Sequence, residues 1–241
     1  MRRLAVLAFA SALGAAAPAL AGPPYVSDDA EPTETGHWEI YGFVSGTVLP
    51  GETDGTTGLD VNYGPVKDVQ ITAVVPVGFA DGRVGGSAPV ELAAKYKFIH
   101  QREGSWVPDV AVFPRVFVPT GGRFGGDHAS LLLPLWAEKD WGRWSLFGGG
   151  GYTINPGRDN RNFWLAGLAL TRAVSDRLTL GGEVYHQTAD TVGGRDFTGV
   201  NVGATYKLTN HWSLLASAGP GVQNASQEGL YAFYVALEAQ Y

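Results

Sequence analysis

Five histidines, His37, His100, His128, His186 and His211, are the first residues to test for chemistry. They are scattered, with no His-Glu-x-x-His or His-x-His pair, so their spacing offers no metal-ligand set. A serine-type hydrolase needs a hydroxyl, an imidazole and a carboxylate converging on one point. Ser130 with His128, and Glu183 with His186, come nearest to that pattern. Glu183 and His186 are three residues apart, however, and on a regular strand they point to opposite faces. The 241-residue chain contains no Cys, which removes a thiol nucleophile, a thiolate metal site and a disulfide framework. The run Gly148-Gly149-Gly150-Gly151 lacks the Lys-Ser/Thr that follows a phosphate loop. Its setting is a strand, where glycines mark a bend or leave room for another group. No catalytic residue, metal site or cofactor is assigned.

What remains is a mixed charged and polar set: Glu91, Lys95, Lys97, Asp109, Arg115, Glu183, Asn201, Lys207 and Glu238. Such side chains either pair with one another as struts or line a polar passage whose selectivity they tune. Which reading applies depends on the elements that carry them.

Those elements read as strands. In the last segment Tyr231, Phe233, Val235, Leu237, Ala239 and Tyr241 share one face, while Ala232, Tyr234, Ala236, Glu238 and Gln240 share the other. Upstream, Leu92, Ala94, Tyr96 and Phe98 oppose Glu91, Lys95 and Lys97; Val110, Val112, Val116 and Val118 oppose Asp109 and Arg115. Val200, Val202, Ala204, Tyr206 and Leu208 oppose Asn201, Thr205 and Lys207. Trp212, Leu214, Ala216 and Ala218 oppose Ser213 and Ser217. The reading gives strands over 37–49, 57–64, 68–79, 88–100, 106–118, 129–138, 143–154, 162–173, 178–187, 196–208, 211–222 and 230–241. Several have the length of about 9–11 residues that crosses a bilayer at a tilt.

Between them, tight turns (Val66-Lys67, Lys139–Gly142, Val174–Arg177, Thr209-Asn210) alternate with longer Gly-, Asp- and Asn-rich loops. Those loops are Pro50–Thr56, Ala80–Ser87, Thr120–His128, Asn155–Arg161, Thr188–Arg195 and Asn224–Gly229, with Gln101–Ser105 intermediate. Short turns on one side and long loops on the other are the habit of outer-membrane barrels. The expected fold is all-β: a transmembrane antiparallel up-and-down β-barrel of about twelve strands with both termini in the periplasm. Four prolines, Pro76, Pro114, Pro134 and Pro220, fall inside these strands and must mark bulges, ends or misplaced boundaries.

The composition agrees. With 34 glycines, 12% aromatic residues and near-neutral mean hydropathy, the chain resembles neither a helical membrane protein nor an ordinary soluble enzyme. Residues 1–21 read as a cleaved secretory signal: Arg2 and Arg3, an apolar run from Leu4, and Ala19-Leu20-Ala21 before the cut. Removing Arg2 and Arg3 from the 17 basic residues leaves 15 against 23 acidic ones, a balance of −8 that disfavours nucleic acid. Residues 22–36 form an acidic, Pro-rich segment with Asp28, Asp29, Glu31 and Glu34. Its default placement is disorder in the periplasm. The alternative is that it folds into the barrel of residues 37–241 and plugs it against Lys95, Lys97 and Arg115.

Specific stretches also carry a family resemblance. Gly22–Pro32 followed by Gly36-His37-Trp38-Glu39, Glu91–Phe98, and Leu131–Trp136 with Lys139-Asp140 are among them. Gly148–Tyr152 with Ile154–Gly157, Glu183–Asp190 and Ser217–Gly221 complete the set. The chain resembles, over nearly its whole mature length, a family of outer-membrane transporter-like proteins named for the meta-pathway of phenol degradation. The resemblance implies an outer-membrane barrel with a transport role and supplies no catalytic residues.

The expectation is therefore a monomeric channel or facilitator for small compounds, hydrophobic or aromatic ones among them. The alternatives are a barrel lipid hydrolase or protease, and a closed structural barrel. Expected partners are outer-membrane lipid, lipopolysaccharide and the barrel-insertion machinery, for which Phe233 and Tyr241 are the assembly signal.

Overall fold

The computed structural model describes residues 24–102 and 104–241; the leader read over 1–21 lies outside them. Fourteen strands and two four-residue helices follow one another. The first group is β1 (Trp38–Leu49), β2 (Glu52–Val66), β3 (Val69–Ala80), β4 (Arg83–Ser87), β5 (Val90–Ile99), β6 (Asp109–Val112) and β7 (Arg115–Val118). Next come α1 (Gly122–Gly125), β8 (Ser130–Trp141), β9 (Trp144–Ile154), β10 (Phe163–Ala173) and β11 (Leu178–Gln187). The chain closes with β12 (Phe197–Lys207), β13 (Trp212–Gln223), α2 (Ala225–Glu228) and β14 (Tyr231–Gln240).

All pairings between these strands are antiparallel. β1 pairs with β14, Val44 opposite Val235, so the sheet closes on itself. Closure leaves no unpaired edge, the condition for crossing lipid with strands. The ring has twelve staves. β6 and β7 together make one of them, and β4 is a short extra strand laid on β3.

The prolines explain the interruptions. Pro114 separates β6 from β7. Pro134 lies on β8 where its partner changes from β6 (Leu135↔Val112) to β7 (Leu132↔Arg115). Pro76 lies on β3 between the end of its pairing with β5 (Val74↔Glu91) and the start of that with β4 (Val77↔Ser87). Pro220 sits beside the one-residue shift in the β12–β13 register. In each place the ladder already breaks, so the missing N–H costs little.

Several expected boundaries need correction. The loop expected at Pro50–Thr56 is a two-residue turn at Pro50-Gly51, with Gly51 at φ 82°, and β2 begins at Glu52 rather than 57. The strand expected from 106 begins at Asp109. The loops expected at Ala80–Ser87, Thr120–His128 and Asn224–Gly229 contain β4, α1 and α2. Local polarity suggested loop at each site, whereas cross-strand pairing in the closed ring decides what becomes ordered.

The alternation of faces holds. Leu92, Tyr96, Phe98, Val202, Val235 and Leu237 are exposed on the outside, and Glu91, Lys95, Lys97, Asn201 and Glu238 are buried inside. Near the ends that carry the termini, Trp38 stacks on Tyr63 at 4.4 Å and His211 on Tyr241 at 5.6 Å. Trp141 faces Trp144 across the β8–β9 turn, with the Arg172 guanidinium 5.1 Å from the Trp144 ring. Aromatic rings at this level suit the membrane–water boundary. The glycine run on β9 lets the neighbouring backbones come close: Gly149 and Gly150 take φ 150° and 158°, and a Cβ on Gly149 would lie 2.1 Å from the Leu135 carbonyl oxygen.

Candidate functional site

The inside of the barrel is occupied by the chain's own N-terminal segment. Residues 24–34, the strap, run within the ring before the parallel bridge Thr35↔Gly64 leads to β1. Ser27 and Ala30 are fully buried, and Asp28 is 2% exposed. Of the two placements open from sequence, the structure has the one inside the barrel.

The strap meets two unlike walls. On β5, Lys95 Nζ donates to Asp28 Oδ1 at 3.0 Å, to Asp29 Oδ1 at 3.0 Å and to the Glu31 carbonyl at 3.2 Å. Lys97 pairs with Glu31, and with Asp109 at 3.9 Å. Beside them Arg115 grips Glu91 in a two-pronged pair, Nε to Oε1 at 2.7 Å and Nη2 to Oε2 at 2.8 Å. Phe113 lies under both cations, its centroid 5.1 Å from Lys95 Nζ and 5.3 Å from the Arg115 guanidinium carbon.

Opposite, β10 to β12 present glycines to the strap. A Cβ on Gly181 would lie 2.5 Å from Tyr25 Oη, one on Gly203 2.8 Å from it, and one on Gly167 2.2 Å from Ser27 Oγ. The Tyr25 ring therefore fits only because Gly181 and Gly203 have no side chain, and Ser27 only because Gly167 has none. Phe147 completes its seat at 6.0 Å between centroids. Burial pushes the Tyr25 phenol up to about 12, with the negative charge of Glu183 adding to the shift. The Glu183 carboxylate accepts from the backbone N–H of Val26 at 3.1 Å, from that of Ser27, and from Asn201 Nδ2 at 2.9 Å.

Further contacts continue toward β1. Ala30 N–H donates to Glu138 at 3.3 Å and Thr33 N–H to Gln70 Oε1 at 2.8 Å. Between strap and wall a polar cavity of about 70 Å³ persists, lined by Asp60, Asn62, Thr72, Glu91, Arg115 and strap carboxylates among others. An apolar cluster lies beside the strap: Phe43 stacks on Tyr234 at 6.2 Å with Val74 and Leu215, and Ser217, opposite Tyr234, donates to the Pro24 carbonyl. Leu132, Phe163, Leu165 and Tyr185 are also buried.

Eight of the nine residues expected to line the lumen, Glu91, Lys95, Lys97, Asp109, Arg115, Glu183, Asn201 and Glu238, are buried. Lys207 is apart from them, exposed at the end of β12 in an open recess with Arg143 and Arg177. The strand's period placed it on the inner side, but at the last residue of a stave that side is the barrel mouth. Sequence reasoning did not single out Gln70, Asn62, Thr72, Glu138, Tyr25 or the receiving glycines. Alternation on β2, β3 and β8 could have found the first four. Nothing local marks which glycines face the strap.

The histidines do not assemble. His37 Nδ1 lies 3.2 Å from the Thr35 carbonyl oxygen, His100 Nε2 2.8 Å from Asp68 and His211 Nδ1 2.9 Å from the Gln240 carbonyl oxygen, all near the termini-bearing end. His186 lies 2.9 Å from Thr198 Oγ1, on the other face of β11 from Glu183. Among the described residues no group of three or more His, Cys, Asp or Glu side chains is placed to hold a metal. Phe233 is half-buried and Tyr241 exposed.

Comparison with solved structures places the fold. An outer membrane channel from Pseudomonas putida F1 aligns at TM-score 0.69 with 16% identity, covering 88% of this chain and 98% of that one. The KdgM porin, solved in complex with disordered oligogalacturonate, aligns at 0.57 with 10% identity over 85% and 98%. The translocator domain of the autotransporter NalP from Neisseria meningitidis aligns at 0.54 with 14% identity over 88% and 91%. No curated protein sequence matches the chain. A family model described as "Putative MetA-pathway of phenol degradation" matches residues 23–238. With the closed ring, the apolar exterior and that match in hand, the chain belongs to this family and is a β-barrel of the Gram-negative outer membrane.

Proposed function

We propose that the protein is a passive channel for small solutes, closed in this state by its own strap. The observation that supports it most is how the interior is filled. A barrel of about eight strands fills itself with side chains from its staves, and a ring of twelve is wider than that. Here a separate segment that leads into β1 occupies a charged interior and is held by contacts that can be exchanged for water or solute. Two of the structural neighbours are an outer membrane channel and a porin, which supports this reading. For cargo, the buried rings of Phe43, Tyr234 and Tyr185 favour small compounds with apolar or aromatic bodies.

The test is conductance in planar bilayers. Refolded chain lacking residues 24–34 is expected to give larger single-channel steps than the full chain. If the deleted protein, shown to be folded by its heat-modifiable mobility, gives no current, the channel reading fails.

A further inference from the structure

The wall carboxylates that face the strap have donors of their own on the wall. Glu91 has Arg115, Glu138 has Ser145 Oγ at 2.9 Å, and Glu183 has Asn201. Lys95 differs. It is 3% exposed, and both carboxylates in its ion pairs, Asp28 and Asp29, come from the strap. The face of Phe113 is what the wall gives it. Two residues on, Lys97 likewise draws its short pair from the strap's Glu31, while the wall's Asp109 is at 3.9 Å.

We infer that Lys95 and Lys97 form a carboxylate-binding site in the lumen, which the strap's Asp28, Asp29 and Glu31 fill as a tethered occupant that a small organic carboxylate displaces. The inference deepens the channel reading by naming the class of solute that opens it. Withdrawing the strap alone leaves the Lys95 ammonium with water in place of its two carboxylate partners, a weaker pairing than the one it loses. An incoming carboxylate restores the pair and so favours the withdrawn state over the seated one. A neutral solute has no such preference for either state and shifts nothing through this site. Carboxylates on other staves, Glu39, Glu138 and Glu238, confine an anion to the β5 side of the lumen. A short tether holds its acids at an effective concentration on the order of millimolar, so free carboxylate competes in the millimolar range.

The absence of native Cys makes a direct readout simple. Ser27→Cys places a thiol at a fully buried strap position whose hydroxyl makes no hydrogen bond among the described residues. Full chain carrying this change, refolded in micelles, is labelled with a water-soluble maleimide in sodium benzoate, and in benzamide brought to equal ionic strength with sodium chloride. Tens of millimolar benzoate is expected to speed labelling about threefold or more, and benzamide to leave it unchanged. Adding Lys95→Met is expected to raise the basal rate and abolish the benzoate response; Lys95→Arg is expected to keep it. Equal rates in benzoate and benzamide, or a benzoate response that survives Lys95→Met, would overturn the site. Silent bilayers count against the channel alone, because labelling reads the strap directly.

Discussion

On the β5–β7 side the strap is held by ion pairs, and on the β10–β12 side by shape together with Glu183, which accepts from the Val26 and Ser27 N–H groups. Lys95 and Lys97 reach for its carboxylates over distances that tolerate small shifts, and water or another anion can take the same place. Gly167, Gly181 and Gly203 instead offer a recess cut to the Tyr25 ring and the Ser27 side chain. That recess rejects anything that adds one carbon to the wall. Charge therefore makes the seat exchangeable, and shape fixes which part of the strap occupies it. A third arrangement, the Arg115–Glu91 pair, belongs to the wall alone and supports the staves whether the strap is in or out.

These differences can be broken one at a time. The largest effect is expected from Arg115→Met, which strands a Glu91 that is 3% exposed. Breaking a buried pair from one side costs about 3–5 kcal/mol. The folded-to-unfolded midpoint in urea, followed by tryptophan emission in lipid, should fall accordingly, with or without residues 24–34. A loss that disappears when the strap is deleted would assign the pair to the strap instead.

Gly203→Val comes next. Its Cβ would lie 2.8 Å from Tyr25 Oη, at the end of a movable segment, so the strap should give way and the barrel remain. We expect channel openings to become more frequent while the urea midpoint moves by less than about 1 kcal/mol, below the usual overpacking cost of about 1–3 kcal/mol in a rigid core. A midpoint drop as large as that of Arg115→Met would erase the distinction between a wall that holds itself and one that holds the strap.

The smallest effect concerns pH. The seated Tyr25 phenol keeps its proton to about 12, above the ordinary tyrosine value of 10.0. Its contribution to seating is therefore fully present below pH 10 and is lost as pH rises through about 12. Tyrosinate absorbance of the native chain minus that of Tyr25→Phe should show one phenol titrating near 12. If that phenol titrates near 10, Tyr25 is not seated in the glycine recess.

Much of the barrel was legible locally. Glu91-Leu92-Ala93-Ala94-Lys95-Tyr96-Lys97-Phe98 writes inner and outer faces into a single stave because the strand repeats every two residues. The stave count and the inward side of eight buried residues followed from that period. Boundaries failed where pairing outvoted composition. Glu52-Thr53-Asp54-Gly55-Thr56 reads as loop, yet it extends β2 because β1 and β3 offer it partners on both sides. Lys207 followed the period but ran out of barrel.

The site itself divides the same way. The acids of residues 28–31 and the lysines at 95 and 97 were each visible, and their signs made a meeting possible. Whether they meet was open, because they are separated by more than sixty residues and a disordered tail satisfies the same composition. The sequence by itself determined the two-residue period, and through it a ring with an apolar outside and a charged inside. Only the tertiary structure decided that the strap enters that ring, because glycines on three separate staves form its recess only after the sheet has closed and brought them together around Tyr25 and Ser27.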